Sequence, residues 1–355
     1  MRIGPHEIAG RVFAAPMAGI ADLPLRRLWR AMGAAYTVGE MTTADPRLRG
    51  SAKTRSRLAA DGGAAPTVIQ LAGADPRMLA EAARYCVDLG AQVIDINMGC
   101  PAKKVCNAAA GSALLRDEAL VLRIVESVVA AVPVPVTLKL RTGWSPHSRN
   151  APRIARMAES AGVQMLTLHG RTRACGFGGH AEYDTIAEVK SLVRVPVVAN
   201  GDIDSPGKAQ QVLLRTGADA VMVGRAAHAR PWIFSEIEHF LQRGRPAPPM
   251  RVEQARMLLL RHFDEHIAHH GEAAGVRTLR KRLHFLGRSL RGGRRLCERI
   301  NFATHSGEQR SALEDFLRQA AARGPFFEYI DAVEAAAAQE RLTDTVAHTT
   351  INDPV

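Results

Sequence analysis

Paired cysteines and long apolar runs are both missing from this chain of 355 residues. Its five cysteines form no C-x-x-C pair, and an odd number of such thiols is typical of a reduced cytoplasmic protein rather than of a disulfide framework. No apolar run reaches the roughly 18 residues that span a bilayer. The N-terminus also lacks the apolar core of a signal peptide. We therefore expect a cytoplasmic protein without a membrane partner.

Acidic residues are outnumbered, since 35 Asp and Glu face 47 Lys and Arg and leave a formal net charge of +12. The excess is concentrated between Arg277 and Arg299, where nine basic residues accompany one acid, Glu298. Such a block favours a polyanionic partner, RNA or DNA, because basic side chains neutralise phosphates. A solvated basic surface is the alternative.

Eight short apolar or β-branched runs predict eight strands in order along the first part of the chain. They are Val12–Met17, Ala35–Glu40, Thr67–Leu71, Val93–Asn97, Val134–Leu140, Gln164–His169, Val195–Asn200 and Ala220–Val223. Helical patterns separate them, as in Pro76–Leu89 and Glu118–Val132, and Asp75 and Ser205 precede prolines as N-caps would. Eight strand–helix units in about 230 residues predict an α/β fold, a (β/α)8 TIM barrel. A doubly wound sheet is the alternative, but it usually has fewer strands.

The chain beyond the predicted barrel is of a different kind. A proline-rich stretch, residues 244–251, reads as a short stiff linker after a barrel that we assign to residues 1–243. Residues 252–342 then predict a C-terminal all-helical bundle, and residues 343–355 a frayed polar tail. The predicted helices are Ala255–His270, Val276–Leu290, Gln309–Arg323 and Phe326–Arg341.

Polar or glycine residues end nearly every predicted strand, where a barrel carries its chemistry. They are Pro16-Met17, Glu40, Gln70, Asn97, Lys139, His169, Asn200-Gly201-Asp202 and Gly224-Arg225. The glycine loops after the last two strands are typical of phosphate binding and suggest a phosphorylated cofactor such as FMN. Lys139 could then stabilise the N1/C2 edge of a reduced flavin, and Gln70 could bond its pyrimidine edge. His169 could face the ring or the phosphate.

No other nucleotide motif is present. A G-x-G-x-x-G run after a strand is absent, so a pyridine nucleotide would visit the flavin only transiently. The segment from Gly201 to Lys208 lacks the spacing and the Ser or Thr of a P-loop.

Cys100 lies in the loop Asn97-Met98-Gly99-Cys100-Pro101, which ends a buried strand. It could be a buried filler, a metal ligand, a nucleophile or an acid. Cys106 lies too far along the chain for zinc-ligand spacing, so we expect no metal here and read Cys106 as incidental, with a redox role as the alternative. Four histidines at positions 262, 266, 269 and 270 are expected to form a solvated helix face rather than a metal site.

Long runs of residues resemble the tRNA-dihydrouridine synthases and cover the predicted barrel almost from end to end. They are Ala15–Gly19, Glu40-Met41, Gln70–Gly73, Asp95–Val105, Lys139–Trp144, His169–Arg173, Asn200–Ile203 and Met222–Ala226, continuing into Gly275–Arg277 and Arg280-Lys281. Gly99–Val105 followed by Ala110–Leu115 is most similar to the bacterial B-type branch. The sequence departs from the family pattern at Leu283–Leu286, where an aromatic pair is common.

The resemblance implies an FMN-binding barrel and a helical tRNA-binding domain in a monomer with no obligatory protein partner. NADPH would reduce FMN, the reduced flavin would pass a hydride to C6 of a tRNA uridine, and Cys100 would protonate C5. The residues expected to bind FMN are Pro16, Met17, Ala18, Gln70, Lys139, His169, Asn200, Gly201, Asp202, Gly224 and Arg225. Those expected to bind uracil or tRNA are Asn97, Lys103, Lys104, Arg141, Arg171, Arg173, Arg277, Arg280 and Lys281.

Two other functions stay open at this point. A flavin oxidoreductase for a free small molecule, similar to a dihydroorotate dehydrogenase, would fit the barrel but has no use for the basic C-terminal block. A non-catalytic RNA-binding protein would fit that block but would bind no flavin.

Overall fold

A computed structural model describes residues 1–59 and 66–330 and divides into two compact units. The first unit comprises Met1–Ala227 and Pro231–Ala247, and the second comprises residues 228–230 and the described chain from Pro248 onward. The expected tail, residues 343–355, lies outside the described residues.

Eleven strands are present in the described residues, all of them in the first unit. They are β1 (Arg2–Ile3), β2 (His6–Glu7), β3 (Val12–Ala14), β4 (Tyr36–Thr37), β5 (Thr42–Thr43), β6 (Val68–Ala72), β7 (Val93–Met98), β8 (Val136–Arg141), β9 (Leu166–His169), β10 (Val197–Asn200) and β11 (Ala220–Val223). β1 and β2 form an antiparallel hairpin that the sequence did not predict, and the other nine form one parallel sheet.

The parallel sheet curls into a barrel. Its order is β4-β3-β11-β10-β9-β8-β7-β6-β5. The first strand of this sheet along the chain, β3, therefore pairs with the last, β11. The break in the order lies between β4 and β5, which follow one another along the chain. The predicted (β/α)8 barrel is therefore confirmed, and the doubly wound sheet is excluded.

Helices separate the strands of the barrel. They are α1 (Leu23–Ala31), α2 (Ala52–Leu58), α3 (Pro76–Asp88), α4 (Lys103–Asn107), α5 (Glu118–Ala131), α6 (Ala151–Ser160), α7 (Asp184–Leu192), α8 (Pro206–Thr216), α9 (Ala226–Ala229) and α10 (Ile233–Arg243). Both predicted N-caps are confirmed, because Asp75 accepts from the Met78 N–H at 2.9 Å and Ser205 from the Lys208 N–H at 3.3 Å.

Two predicted strands differ from the observed ones by three residues at their carboxyl ends, more than any of the others. β3 ends at Ala14 rather than Met17, because Pro16 has no N–H to donate to a strand ladder. The run Ala35–Glu40 gives β4 and then leaves the sheet before β5. At the point of departure, a Cβ on Gly39 would lie 3.1 Å from a guanidinium nitrogen of the buried Arg26.

Strand register explains why polar side chains meet inside the barrel. Asp95 on β7 is paired in register with Gln70 on β6 and with Thr137 on β8. Two residues further along, Asn97 is paired with Lys139. Because residues two apart on a strand face the same side, these side chains form two successive layers below the carboxyl ends of the strands.

The second unit contains α11 (Val252–His270), α12 (Glu272–Ser289), α13 (Gly293–Phe302) and α14 (Ser306–Arg323). The sequence missed α13, whose start packs so closely on α12 that a Cβ on Gly293 would lie 2.0 Å from the Gly287 carbonyl oxygen. None of the helices that the structure describes is long and apolar enough to cross a membrane.

The predicted helix Phe326–Arg341 is wrong over its first five residues, and the remainder lies outside the described chain. Residues 326–330 are extended, and isolated bridges pair Phe326 with Arg251 and Tyr329 with Leu290. Pro325 explains the difference, since the residue before a proline avoids the helical conformation and Gly324 ends α14.

Candidate active site

A continuous row of hydrogen bonds crosses the inside of the barrel. Thr137 Oγ1 donates to Asp95 Oδ1 at 2.6 Å, and Gln70 Nε2 donates to Asp95 Oδ2 at 2.7 Å. Asn97 Nδ2 then donates to Gln70 Oε1 at 2.7 Å. At the far end, Asn97 Oδ1 accepts from the backbone N–H of Cys100 at 3.0 Å. The structure therefore joins the predicted residues Gln70, Asn97 and Cys100 in one row that starts at Asp95, whose role the sequence did not reveal.

Lys139, on β8, reaches past β9 to Asn200 at the end of β10. Its buried ammonium donates to Asn200 Oδ1 at 3.1 Å, and Asn200 Nδ2 donates to the Met222 carbonyl at 2.8 Å. The Met222 carbonyl thus turns the amide oxygen of Asn200 toward the lysine. Burial, followed by the nearby Arg141 charge, lowers the pKa of Lys139 to about 8. Because its hydrogen-bond acceptor among the described residues is a neutral amide, no direct ion pair neutralises the ammonium there.

The Cys100 loop is fixed on three sides. Asn97 holds its N–H, Ser112 Oγ donates to the Cys100 carbonyl at 2.9 Å, and Arg141 Nε donates to the Gly99 carbonyl at 2.8 Å. The Cys100 side chain is half-buried, and burial raises the pKa of its thiol. At neutral pH it is therefore protonated and can serve as an acid.

His169 ends β9 and is uncharged. Enclosure by the protein, together with the charges of Lys139 and Arg141, lowers the pKa of His169 to about 2. A neutral imidazole can donate or accept a hydrogen bond, but it adds no positive charge to the site.

Arg141 and Arg171, predicted to bind substrate, are both buried within the barrel unit. They are 1% and 2% exposed. Both bind the segment 172–179, which we call the mouth loop. Arg141 donates to the carbonyls of Thr172 and Gly176, and Arg171 to those of Gly178 and Gly179. A buried guanidinium must satisfy its donors internally, and loop carbonyls do so here.

Asp202, predicted to bind the cofactor, forms hydrogen bonds with other residues of the protein. Its carboxylate accepts from Arg171 at 2.8 and 2.7 Å, from Arg225 at 2.9 Å and from the Ala181 N–H at 2.8 Å. Burial acts to raise the pKa of Asp202, but these bonds outweigh it and hold the pKa below its usual value. The backbone of Asp202 has a φ of +48°, and the same bonds hold it there. The Asp202 carboxylate thus holds the loop in place through Arg171, Arg225 and the Ala181 N–H.

The glycine loops after β10 and β11 fit a phosphate. The backbone N–H groups of Gly201, Asp202, Gly224 and Arg225 donate to no group within residues 1–59 and 66–330. The Asp202–Arg225 ion pair ties the two loops together. A Cβ on Gly224 would meet nothing closer than 3.9 Å, so there is room above it. Of the predicted cofactor residues after β3, Met17 lies nearest, with its Sδ 4.0 Å from that point.

Phe177, at the tip of the mouth loop, is a residue that sequence reasoning missed. Its side chain is 60% exposed although it is a large aromatic ring. The ring centroid lies 6.5 Å from the His169 ring and 5.4 and 5.9 Å from the guanidinium carbons of Arg141 and Arg225. An exposed aromatic ring beside cations is a suitable stacking surface for a base.

The remaining predicted basic residues of the barrel differ in their surroundings. Lys103 and Lys104 are exposed on α4, three residues after Cys100. Arg173 is half-buried, and its guanidinium lies 4.7 Å from the centroid of the Trp144 ring. The guanidinium of Arg116 lies 5.1 Å from the same ring. Lys103 and Lys104 are thus free to meet phosphates, whereas Arg173 also packs on Trp144.

In the second unit, Arg277 and Lys281 are exposed on α12, one turn apart. Arg280 is different, because it donates to the carbonyls of Ile300 and Ala303 at the end of α13. Its guanidinium satisfies carbonyls that a helix end leaves unpaired, whereas its predicted role in RNA binding stays a prediction.

The expected solvated histidine face on α11 is wrong for two of its four members. His262 and His266 are buried, and Arg282 approaches them at 3.3 and 3.0 Å. His266 also bonds the Thr278 hydroxyl at 2.8 Å. The spacing of the histidines correctly placed them on one helix, but it does not determine which face of that helix is buried.

A curled parallel barrel whose strand ends gather a protonated thiol, a buried lysine and two glycine loops is typical of TIM-barrel enzymes. A family profile described as "Dihydrouridine synthase (Dus)" matches residues 13–321. The chain therefore belongs to the dihydrouridine synthase family, and its resemblance to the B-type branch is confirmed.

Individual relatives agree. The tRNA-dihydrouridine synthase B of Pseudomonas aeruginosa is 51% identical over 319 residues, which cover 90% of this chain and 96% of the relative. That of Xanthomonas axonopodis pv. citri is 56% identical over 283 residues, 80% and 85% of the two chains. Among solved structures, histamine dehydrogenase from Rhizobium sp. 4-9 has a TM-score of 0.50 at 16% identity and covers 67% of this chain and 47% of its own. That likeness concerns the barrel fold alone.

Proposed function

We propose that this protein reduces a uridine in tRNA to 5,6-dihydrouridine, with FMN as its bound cofactor and NADPH as the reductant. The observation that carries the proposal is the Cys100 loop: a protonated, half-buried thiol is held by Asn97 beside the strand that carries Lys139. Membership of the family supports the reaction type, and the printed names of the relatives support tRNA as substrate.

The barrel would hold FMN at two places. The free N–H groups of the glycine loops after β10 and β11 suit the phosphate, and Pro16, Met17 and Ala18 lie in the loop that follows the neighbouring β3. Lys139 suits the N1/C2 edge of the ring, because an ammonium there favours the anionic reduced form. Bound FMN, once reduced by NADPH, supplies the hydride for uracil C6.

The chain itself supplies the proton and the fit. Cys100 gives the thiol proton to C5 of the uracil, and the thiolate regains a proton from solvent. Asn97 keeps one N–H that is not used within the row of hydrogen bonds, and this N–H suits a uracil carbonyl. Since the base must leave its stack to reach the barrel, Phe177 provides an aromatic surface at the mouth.

The rest of the tRNA would bind through phosphates. Lys103 and Lys104 lie on α4, close along the chain to Cys100, and the helical part that we assign to residues 252–342 carries Arg277 and Lys281 on an exposed face. Binding of this kind depends on counterion release rather than on base sequence.

The experiment reconstitutes the purified protein with FMN, reduces it anaerobically with NADPH and adds an unmodified tRNA transcript. Wild-type protein is expected to return to the oxidised yellow form as uridine is consumed. Cys100→Ala should bind FMN and accept electrons from NADPH normally but stay reduced when tRNA is added. Cys175→Ala is the matched control, because Cys175 is an exposed thiol of the mouth loop. Re-oxidation of Cys100→Ala by tRNA at the normal rate, or by free uracil instead of tRNA in the wild type, would overturn the proposal.

A further inference from the structure

We propose that Asp95 is a positioning residue that fixes the amide orientations of Gln70 and Asn97, so that both present hydrogen-bond donors to the site. The consequence for the substrate base rests on the proposed function. The orientation itself is a property of the barrel and can be tested without substrate.

The first step concerns the hydrogen bonds that the Asp95 carboxylate can accept. Its side chain is 2% exposed, and each of its oxygens takes one partner, Thr137 at 2.6 Å and Gln70 at 2.7 Å. A carboxylate only accepts, so the amide nitrogen of Gln70 must face it. Burial raises the pKa of Asp95. If Oδ1 is protonated, the Thr137 hydroxyl can accept that proton in a hydrogen bond, and Oδ2 still accepts from the Gln70 amide nitrogen.

The second step passes this choice along the row. With its nitrogen turned to Asp95, Gln70 turns its oxygen to Asn97, whose amide nitrogen donates at 2.7 Å. The Asn97 oxygen then accepts two backbone N–H groups, from Gly99 at 3.2 Å and from Cys100 at 3.0 Å. The row thus begins at an obligatory acceptor and ends at obligatory donors, and a flip of either amide would leave like groups facing each other.

The third step is what each amide has left. An amide group has two N–H donors, and within the row Gln70 and Asn97 each use one. Each amide therefore keeps one N–H that the row does not use. The spare N–H of Asn97 can donate to the C4 carbonyl of uracil and opposes the C4 amino group of cytosine, since two donors cannot bond. Asp95 touches neither base nor loop, so it acts on base selection and on Cys100 through the two amides.

The test compares Asp95→Leu, which keeps the branching at Cγ, is larger and offers no acceptor, with Asp95→Asn, which keeps an oxygen for Gln70 and loses the charge. The readout that needs no flavin or tRNA is the iodoacetamide alkylation rate of Cys100 in apo-protein, resolved from the other cysteines by peptide mass spectrometry. In Asp95→Leu the freed amides release the Cys100 loop, and the rate should rise about tenfold. In Asp95→Asn it should stay within about twofold of wild type.

Activity gives the second readout. Asp95→Leu should lower kcat on tRNA about tenfold and leave the KM for tRNA nearly unchanged, because the RNA-binding surface is untouched. Thr216→Val is the matched control: it removes a different buried, hydrogen-bonded polar group of the first unit, the Thr216 hydroxyl on α8, and should change neither readout.

Two results would overturn the inference. One is an Asp95→Leu protein with wild-type alkylation and kcat; the other is an Asp95→Asn protein that is as impaired as Asp95→Leu, which would make the charge rather than the acceptor decisive. If Asp95→Leu does not fold, Asp95→Asn still decides between acceptor and charge. Altered alkylation in a protein that proves inactive on tRNA would support the positioning role and refute the proposed function.

Discussion

At the scale of single residues, the surroundings of most titratable site residues fix their protonation states. Cys100 stays protonated because it is half-buried, and His169 stays neutral because it is enclosed near Lys139 and Arg141. Lys139 is the exception, since its lowered pKa brings its titration close to neutral pH. Electrostatic tuning by burial is thus the common cause.

The Lys139 pKa of about 8 gives a pH-dependent stability with a definite sign. Between about pH 8 and about pH 10.5, the unfolded chain keeps a proton on this lysine that the folded flavin-free protein has released. The free energy of unfolding should therefore rise with pH across this window in wild type relative to Lys139→Met. Urea unfolding of both proteins at about pH 7 and about pH 9.5 checks it, and an unchanged difference would refute the lowered pKa.

Phe177 should matter for RNA and not for flavin. Phe177→Ala is expected to raise the KM for tRNA about tenfold, because a base–aromatic stack contributes about 1–3 kcal/mol, whereas Phe177→Trp should retain the wild-type KM. FMN affinity should be unaffected in both. Leu214→Ala, which removes an 80% exposed side chain from α8, is the control. An equal effect of Leu214→Ala, or a wild-type KM in Phe177→Ala, would contradict the stacking role.

Residue by residue, the sequence predicted which positions meet but not how arginines are used. Gln70, Asn97, Lys139 and Asn200 could be predicted because strand ends in a barrel converge whatever the details. Arg171 could not, since a guanidinium that bonds loop carbonyls and one that waits for phosphate look identical in sequence. Asp95 was in the quoted motif, and its alternation with Asn97 on β7 was the signal that would have placed it inside.

At the scale of elements, the mouth loop shows how a loop without regular structure is held in place. Four of its carbonyls accept from Arg141 and Arg171, and Arg171 is held in turn by Asp202. Two buried guanidiniums thus satisfy the backbone carbonyls of this loop, as the hydrogen bonds between strands do in a sheet. Its glycine-rich sequence explains why the carbonyls can be approached so closely.

Breaking the Arg171–Asp202 pair should cost more than breaking the Arg225–Asp202 pair. Asp202→Asn breaks both pairs, leaves the 2%-exposed Arg171 without its counter-charge and should lower the free energy of unfolding by about 3 kcal/mol. Arg225→Met removes a 59%-exposed partner and should cost less than about 1 kcal/mol. Denaturant unfolding near neutral pH measures both.

The same pair predicts a pH effect. Because the pKa of Asp202 is held low, its stabilisation is present above the ordinary Asp pKa of about 4 and is lost as pH falls below it. The deficit of Asp202→Asn should therefore shrink in acid. A deficit that is independent of pH would mean that the carboxylate charge is not what holds Arg171.

Among elements, strands were predicted better than the last helices. The barrel strands repeat one apolar pattern, and each is confirmed by its neighbours in the sheet. The error at Phe326 and the missed α13 share a cause, since both lie beside glycine or proline positions where tertiary contacts decide the conformation. The basic composition of this stretch gave no apolar periodicity to correct either reading.

At the scale of the whole molecule, the net charge of +12 favours RNA, but pairing reduces the number of basic groups that are available to it. Arg299 is bound to Asp315 and Arg294 to Glu298, whereas Arg277 and Lys281 make no ion pair among the described residues. Sequence charge alone therefore overstates the RNA-binding surface, and the structure selects its members.

The salt dependence of tRNA binding tests this selection. Replacing Arg277 and Lys281 together by Gln should reduce the slope of log K against log salt by about 2, roughly one for each phosphate contact. Replacing Arg256 and Arg310, which are engaged with Glu314 and Asp264, should leave the slope nearly unchanged. Equal losses in the two double variants, measured by fluorescence titration over a salt series, would show that the pairing does not matter.

The central claim is that Cys100 completes the reduction of a tRNA uridine in this barrel. The most direct measurement is nucleoside mass spectrometry of an unmodified tRNA transcript after incubation with the FMN-loaded protein and NADPH. The account predicts dihydrouridine at a defined position with wild-type protein and none with Cys100→Ala, at equal flavin content. Dihydrouridine from Cys100→Ala at the wild-type rate, or none from the flavin-loaded wild type, would contradict it.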